Sequence, residues 1–101
     1  MAAWIAAVSS VSPSLNQQVI SSTAVAPYDI CVVCLAPGFQ VTKNNRAANT
    51  QEQWDRAVGL VPMRRAGLPD EIGATLAFLA TAEAGYITGI TLAQDGGFSM
   101  H

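Results

Sequence analysis

Apolar positions along the chain first run continuously, then recur at helical spacing, then run continuously again. Residues 4–8, "WIAAV", form a short apolar run that predicts a strand ending near Ser9. The following "SPSLNQQVISSTAVAP" is polar, rich in Ser and weak in helix formers, which suits a linker holding a short helix or none, closed by Pro27. Residues 30–36, "ICVVCLA", are continuously apolar and rich in β-branched side chains. A strand buried on both faces reads this way and favours a parallel sheet covered by helices. Pro37 has no N–H to donate to a ladder, so the strand should end there.

The period then changes. In "TQEQWDRAVGLV" Thr50 and Gln53 have the spacing of a capping box, and Trp54, Ala57, Val58 and Val61 fall on one helical face. Pro62 should end that helix. A second helix is predicted over "LPDEIGATLAFLATAEAG". Pro69, Asp70 and Glu71 suit its first turn, and Ile72, Leu76 and Leu79 form its apolar stripe, widened by Ala residues and Phe78. Gly85 is the expected stop. A last strand is predicted at about residues 89–94, ended by Asp95-Gly96-Gly97. The order strand, linker, strand, helix, helix, strand argues for α/β architecture in one domain. No internal repeat or low-complexity tract interrupts it.

Composition narrows the function classes. The chain has 101 residues, of which 50% are hydrophobic and only 12% charged. A domain of this size buries roughly 65% of its unfolded surface, so so apolar a chain implies a sticky partner surface or a piece of a larger unit. The net charge of −2 argues against non-specific nucleic-acid binding, which needs a basic face. Residues 1–28 carry no charge, and every Lys and Arg lies between Lys43 and Arg65, a segment that reads as solvated loop and helix surface. No apolar run reaches the roughly 18 residues of a membrane span. The apolar start lacks the positive segment of a signal peptide, so a cytoplasmic setting is expected.

Cys31 and Cys34 form a C-x-x-C, but within a predicted strand, where positions three apart point to opposite faces. A redox pair sits at a helix N-terminus and a zinc site needs further ligands, while the only His is His101. The cysteines therefore read as buried, inert thiols, and no metal site is expected.

"APGFQVT" followed by "VPMRRAGLPDEIGATLAFLATAEAGYITGITLAQDGGFSM" resembles the C-terminal part of short-chain dehydrogenases/reductases, most closely the 3-oxoacyl-carrier-protein reductase-like group. The resemblance covers roughly residues 28–100 and joins A-P-G-F, V-P-x-x-R, P-x-E-I, F-L-A, Y-I-T-G and D-G-G in order. It implies a Rossmann-type sheet binding NAD(P), with ligands beyond the carboxyl ends of the strands. The fold class it implies here is α/β, an incomplete Rossmann-type parallel sheet holding only the C-terminal strands and helices. Residues 1–101 would be one partial domain, with a degenerate segment over 1–28 and the family region over 29–101. By resemblance, the loop after the Pro37-Gly38 strand end lies against the nicotinamide half of the cofactor. Gly38 would let backbone approach closely, Gln40 would meet the carboxamide through its main chain, and the Thr42 hydroxyl would bond near the nicotinamide or pyrophosphate. Read without the resemblance, Pro37-Gly38 ends a strand and Thr42 caps a turn. The last helix and strand serve in the family as core or as a subunit interface.

The family's chemistry uses a Tyr with a Lys four residues later. The Tyr donates a proton to the carbonyl oxygen as hydride arrives, and the ammonium lowers the Tyr pKa. Here Val32 and Ile90 stand four residues after Tyr28 and Tyr86, the only lysine is Lys43, and no Y-x-x-x-K exists. The glycine-rich phosphate turn is missing as well, since all eight glycines lie at Gly38 or later. "IAAVSSVS" resembles the strand carrying the family's catalytic Ser, which would be Ser10. "NQQVISSTA" places Ser21 near the Tyr position and Val25 near the Lys. Three readings follow. The chain is the C-terminal part of an NAD(P)-dependent carbonyl/alcohol oxidoreductase, inactive alone. Alternatively it is a non-catalytic protein that docks through an exposed sheet edge and its last helix onto full-length relatives or copies of itself. A third reading has a complementary polypeptide supply the rest.

Overall fold

The computed structural model describes the backbone of residues 3–8 and, in full, residues 22–100. Three parallel strands, β1 (Ala3–Val8), β2 (Ile30–Pro37) and β3 (Ile90–Gln94), form one sheet in sequence order, with β2 in the middle. β1 pairs with β2 from Ala3↔Ile30 to Val8↔Leu35, and β2 pairs with β3 from Val33↔Ile90 to Pro37↔Gln94. Pro37 keeps the last place in the strand, and the next residue takes over the ladder, Gly38 N donating to Gln94 O at 3.0 Å.

The central position of β2 explains its unbroken apolar run. Cys31, Val33, Cys34 and Leu35 are buried, and Leu35 is fully enclosed. Cys31 and Cys34 are free thiols, and Cys31 Sγ lies 3.3 Å from Gly85 O. On one face Val33 packs with Leu79 and Ala84, with Ile87 and Leu92 against them. Residues 22–25 are helical and run into a 3-10 turn, Ala26–Tyr28, so the polar linker ends in a short helical segment. Ser10, Ser21 and the remainder of that linker lie outside the described residues.

Between β2 and β3 the chain forms α1 (Lys43–Ala48), α2 (Gln51–Gly59) and α3 (Pro69–Leu79). The hydrophobic pattern does not announce α1, because "KNNRAA" has no apolar stripe; its start comes from Thr42, whose Oγ1 accepts from Asn45 N at 3.0 Å. α2 begins with the expected capping box, Gln53 N to Thr50 Oγ1 at 3.1 Å and Thr50 N to Gln53 Oε1 at 2.8 Å. It stops at Gly59 rather than at Pro62, since Leu60 and Val61 turn their N–H groups to carbonyls three residues back. Trp54, Ala57 and Val58 are half-buried on its inner face, and Val61 is buried beyond its end.

α3 corrects the sequence reading in two ways. It ends at Leu79, not at Gly85. Thr81 turns extended and both its N–H and its hydroxyl bond Phe78 O, at 2.9 and 2.6 Å. A separate 3-10 turn, Ala82–Ala84, then leads to Gly85. Phe78 also leaves the buried stripe, with 51% of its surface exposed while Leu79 is buried. The Y-I-T-G motif steers the chain into β3: Val32 N donates to Thr88 Oγ1 at 2.9 Å and Gly89 N to Val32 O at 2.8 Å.

Because Leu35 is the one side chain among the described residues with no exposed surface, Leu35→Ala should be the most costly simple truncation in β2. A loss of about 2–5 kcal/mol is expected, read as a lower urea midpoint at unchanged slope.

Candidate functional site

The carboxyl ends of β2 and β3 meet at a crossing that only a glycine permits. A Cβ on Gly38 would stand 2.6 Å from Asp95 Cβ and 2.7 Å from Asp95 Cα. The close approach that Gly38 allows is thus made within the chain, to the segment leaving β3. Asp95 stiffens that segment, its carboxylate accepting from Gly97 N at 3.0 Å and Ser99 N at 3.1 Å. Bonding from the Ser99 side chain, aided by backbone N–H groups, holds the Asp95 carboxyl below its usual range.

From Gly38 the chain runs over the ends of the strands. Phe39 meets Trp54 of α2 with ring centroids 4.7 Å apart and planes at 55°, and the Arg46 guanidinium lies 4.3 Å from the Trp54 centroid. This stack pins α1 and α2 to the loop. A short parallel bridge continues it, Gly67 N donating to Phe39 O at 2.9 Å and Val41 N to Gly67 O at 2.8 Å. Gln40 O accepts from Asn45 Nδ2 at 3.0 Å. Thr42 is exposed, and its Oγ1 caps α1 as an acceptor, which leaves the hydroxyl its own proton to donate. Pro37 therefore closes β2, and Gly38, Gln40 and Thr42 follow it in one loop at the carboxyl end of the sheet.

Two groups here were given no site role in the sequence reading. Arg65 and Glu71 form a bidentate pair, both N–H···O distances 2.8 Å, and Glu71 Oε1 also accepts from Leu68 N at 2.9 Å. The Arg65 hydrogen bonds, then the Leu68 N–H, bring the Glu71 carboxyl down to about 2, and the same bond raises Arg65 above its ordinary value. V-P-x-x-R and P-x-E-I thus meet as one ion pair closing the entry to α3. The second group is Gln94, the last residue of β3. Its Nε2 donates to Glu71 O at 3.0 Å, while its Oε1 and that of Gln40 are buried with no hydrogen-bond partner among the described residues. Each such acceptor costs about 1–3 kcal/mol when left unpaired.

Residues 17–99 match the family described as Enoyl-(Acyl carrier protein) reductase. The chain is 40% identical over 72 residues to an acetoacetyl-CoA reductase of Allochromatium vinosum, covering 71% of this chain and 29% of that protein. It is 45% identical over 76 residues to the 3-oxoacyl-[acyl-carrier-protein] reductase FabG of Vibrio cholerae, covering 75% and 31%. Among solved structures it resembles YwfH, an NADPH dependent reductase involved in bacilysin biosynthesis, with TM-score 0.76 and 35% identity over 86% of this chain and 37% of that one. The chain spans about a third of the length of the relatives it matches.

The Arg65–Glu71 pair sets an acid dependence. A carboxyl depressed in the folded state contributes stability above its ordinary value near 4.5 and loses it as pH falls toward about 2. Urea midpoints should therefore drop between pH 5 and pH 2, and Glu71→Gln should flatten part of that slope, with Asp95, also held below its usual range, adding in the same direction.

Proposed function

The chain belongs to the short-chain dehydrogenases/reductases, and from that premise we propose that it is the nicotinamide-side region of an NAD(P)-dependent carbonyl/alcohol oxidoreductase, without turnover of its own. Residues 1–101 make one partial cofactor-binding domain, degenerate over 1–28 and family-like over 29–101. The observation that carries this reading is that Pro37 ends β2 and Gly38, Gln40 and Thr42 follow it at the carboxyl end of adjacent parallel strands, where ligands of such sheets bind.

The residues suit half of a dinucleotide. Gln40 offers main-chain polar groups to a carboxamide, and Thr42 offers a hydroxyl proton to a carboxamide or phosphate oxygen. The Phe39–Trp54 contact and the backbone bridge from Gly67 to Phe39 and Val41 hold the loop in place. A nicotinamide cofactor, when bound, supplies or accepts the hydride. The residues 1–101 hold no glycine-rich turn for its pyrophosphate and no Y-x-x-x-K to move the proton. Ser10, the serine of the family's catalytic set, has no Tyr partner in this sequence.

Nicotinamide mononucleotide added to the labelled protein should shift the backbone resonances of residues 38–42, while NADPH with small ketones or acyl thioesters gives no oxidation above the protein-free rate. Shifts elsewhere only, or a clear rate from the pure chain, would overturn this reading.

A second reading, association with copies of itself or with a full-length relative, is favoured by one surface. α3 presents Gly73, Ala74, Ala77 and Phe78 outward, and Ile90 of β3 is also exposed. So apolar a helix face is unusual for a surface left in water. Light scattering should report a species larger than a monomer, and Phe78→Glu should reduce it; an unchanged size would remove this reading.

A further inference from the structure

Two groups assigned to the nicotinamide side, the Gln40 main chain and the Thr42 hydroxyl, are held by the same residue. Asn45 Nδ2 donates to Gln40 O at 3.0 Å, and Asn45 N donates to Thr42 Oγ1, also at 3.0 Å. Asn45 is half-buried in the first turn of α1. Its own carbonyl accepts from Asn49 Nδ2 at 2.6 Å, which fixes the turn from which its side chain reaches back.

The direction of Gln40 makes this contact matter. Phe39 O and Val41 N bond to Gly67 at 2.9 and 2.8 Å. Along an extended segment the backbone groups of successive residues point to opposite sides, so the N–H and C=O of Gln40 turn away from Gly67. They form one donor beside one acceptor, the pattern that a carboxamide complements. The Gln40 carbonyl oxygen has two lone pairs, and the Asn45 amide takes one of them, leaving the other for an amide N–H. A donor on the first lone pair fixes the plane of that peptide and so the direction of the second. At Thr42 the Asn45 N–H occupies a lone pair of the hydroxyl, so the hydroxyl proton turns away from α1.

We infer that Asn45 is a positioning residue for the nicotinamide-side loop. Its side-chain amide sets the Gln40 peptide and its backbone N–H sets the Thr42 hydroxyl, both in the orientation that a carboxamide-bearing ligand needs. The inference rests on the cofactor reading above and adds to it a residue that acts through its neighbours.

Titration of the labelled full chain with nicotinamide mononucleotide, and with nicotinic acid mononucleotide, tests it. The second ligand carries a carboxylate in place of the amide and has no N–H to give to Gln40 O. Asn45→Ala removes the side-chain donor and keeps the backbone N–H that caps Thr42. Asn45→Asp replaces the donor with an acceptor of the same shape, and its negative charge suits the first turn of a helix. Both variants should keep α1, read from the Cα resonances of residues 43–48. Both should bind nicotinamide mononucleotide roughly 3–10-fold more weakly. In Asn45→Ala the preference for the amide over the acid ligand should narrow by a similar factor, a change that a merely helix-starting role would not produce. A wild-type protein whose residues 38–42 do not respond to nicotinamide mononucleotide would remove the cofactor reading, and this inference with it. A response in the wild type, with affinity and preference unchanged in the variants, would remove the inference alone. Loss of α1 in both variants would also overturn it, by reducing Asn45 to a structural residue of that helix.

Discussion

The close contact between Gly38 and Asp95 is the constraint on which the carboxyl end of this sheet depends. With 2.6 Å between Asp95 Cβ and the place where a side chain at 38 would begin, two chain segments leaving neighbouring strands can cross only if one of them is bare backbone. The crossing brings the loop over residues 39–42 and the turn at 95–97 to one edge. From there the Phe39 ring reaches Trp54, and Gly67 pairs with both Phe39 and Val41. α1 and α2 have no fully buried residues of their own and are held largely through these contacts.

The same crossing shapes the chemistry. Family membership directs attention to Pro37, Gly38, Gln40 and Thr42, which lie at the carboxyl end of β2 and in the loop that follows it. Yet two of them already serve the fold: Gly38 admits Asp95, and Thr42 starts α1. A residue can serve both ends, since an accepting hydroxyl still has a proton to give.

Among the described residues no helix is long and apolar enough to cross a membrane. The apolar composition is instead distributed between the central strand and the outside. Phe78, Tyr86, Ile90, Phe98 and Met100 are all exposed to a degree that a large core would not allow. Three strands and one face of α3 cannot enclose so much apolar surface, because the fraction of its surface that a chain buries falls as the chain gets smaller.

Much of this molecule was determined locally. The continuous apolar run of 30–36, the capping box of Thr50 and Gln53, the acidic first turn of α3 and the glycines after β3 each act within a few residues, so β2, the starts of α2 and α3, and β3 were legible in the sequence. The motif order likewise carried the family. Tertiary structure alone decided where α3 stops, since Thr81 folds back on Phe78, and which way Phe78 faces. It also decided that α1 exists, that Arg65 finds Glu71, and that Gln40 and Gln94, 54 positions apart, share a cavity. Those outcomes depend on parallel strands bringing distant segments to a common edge, and no local period or propensity records which side chains meet there.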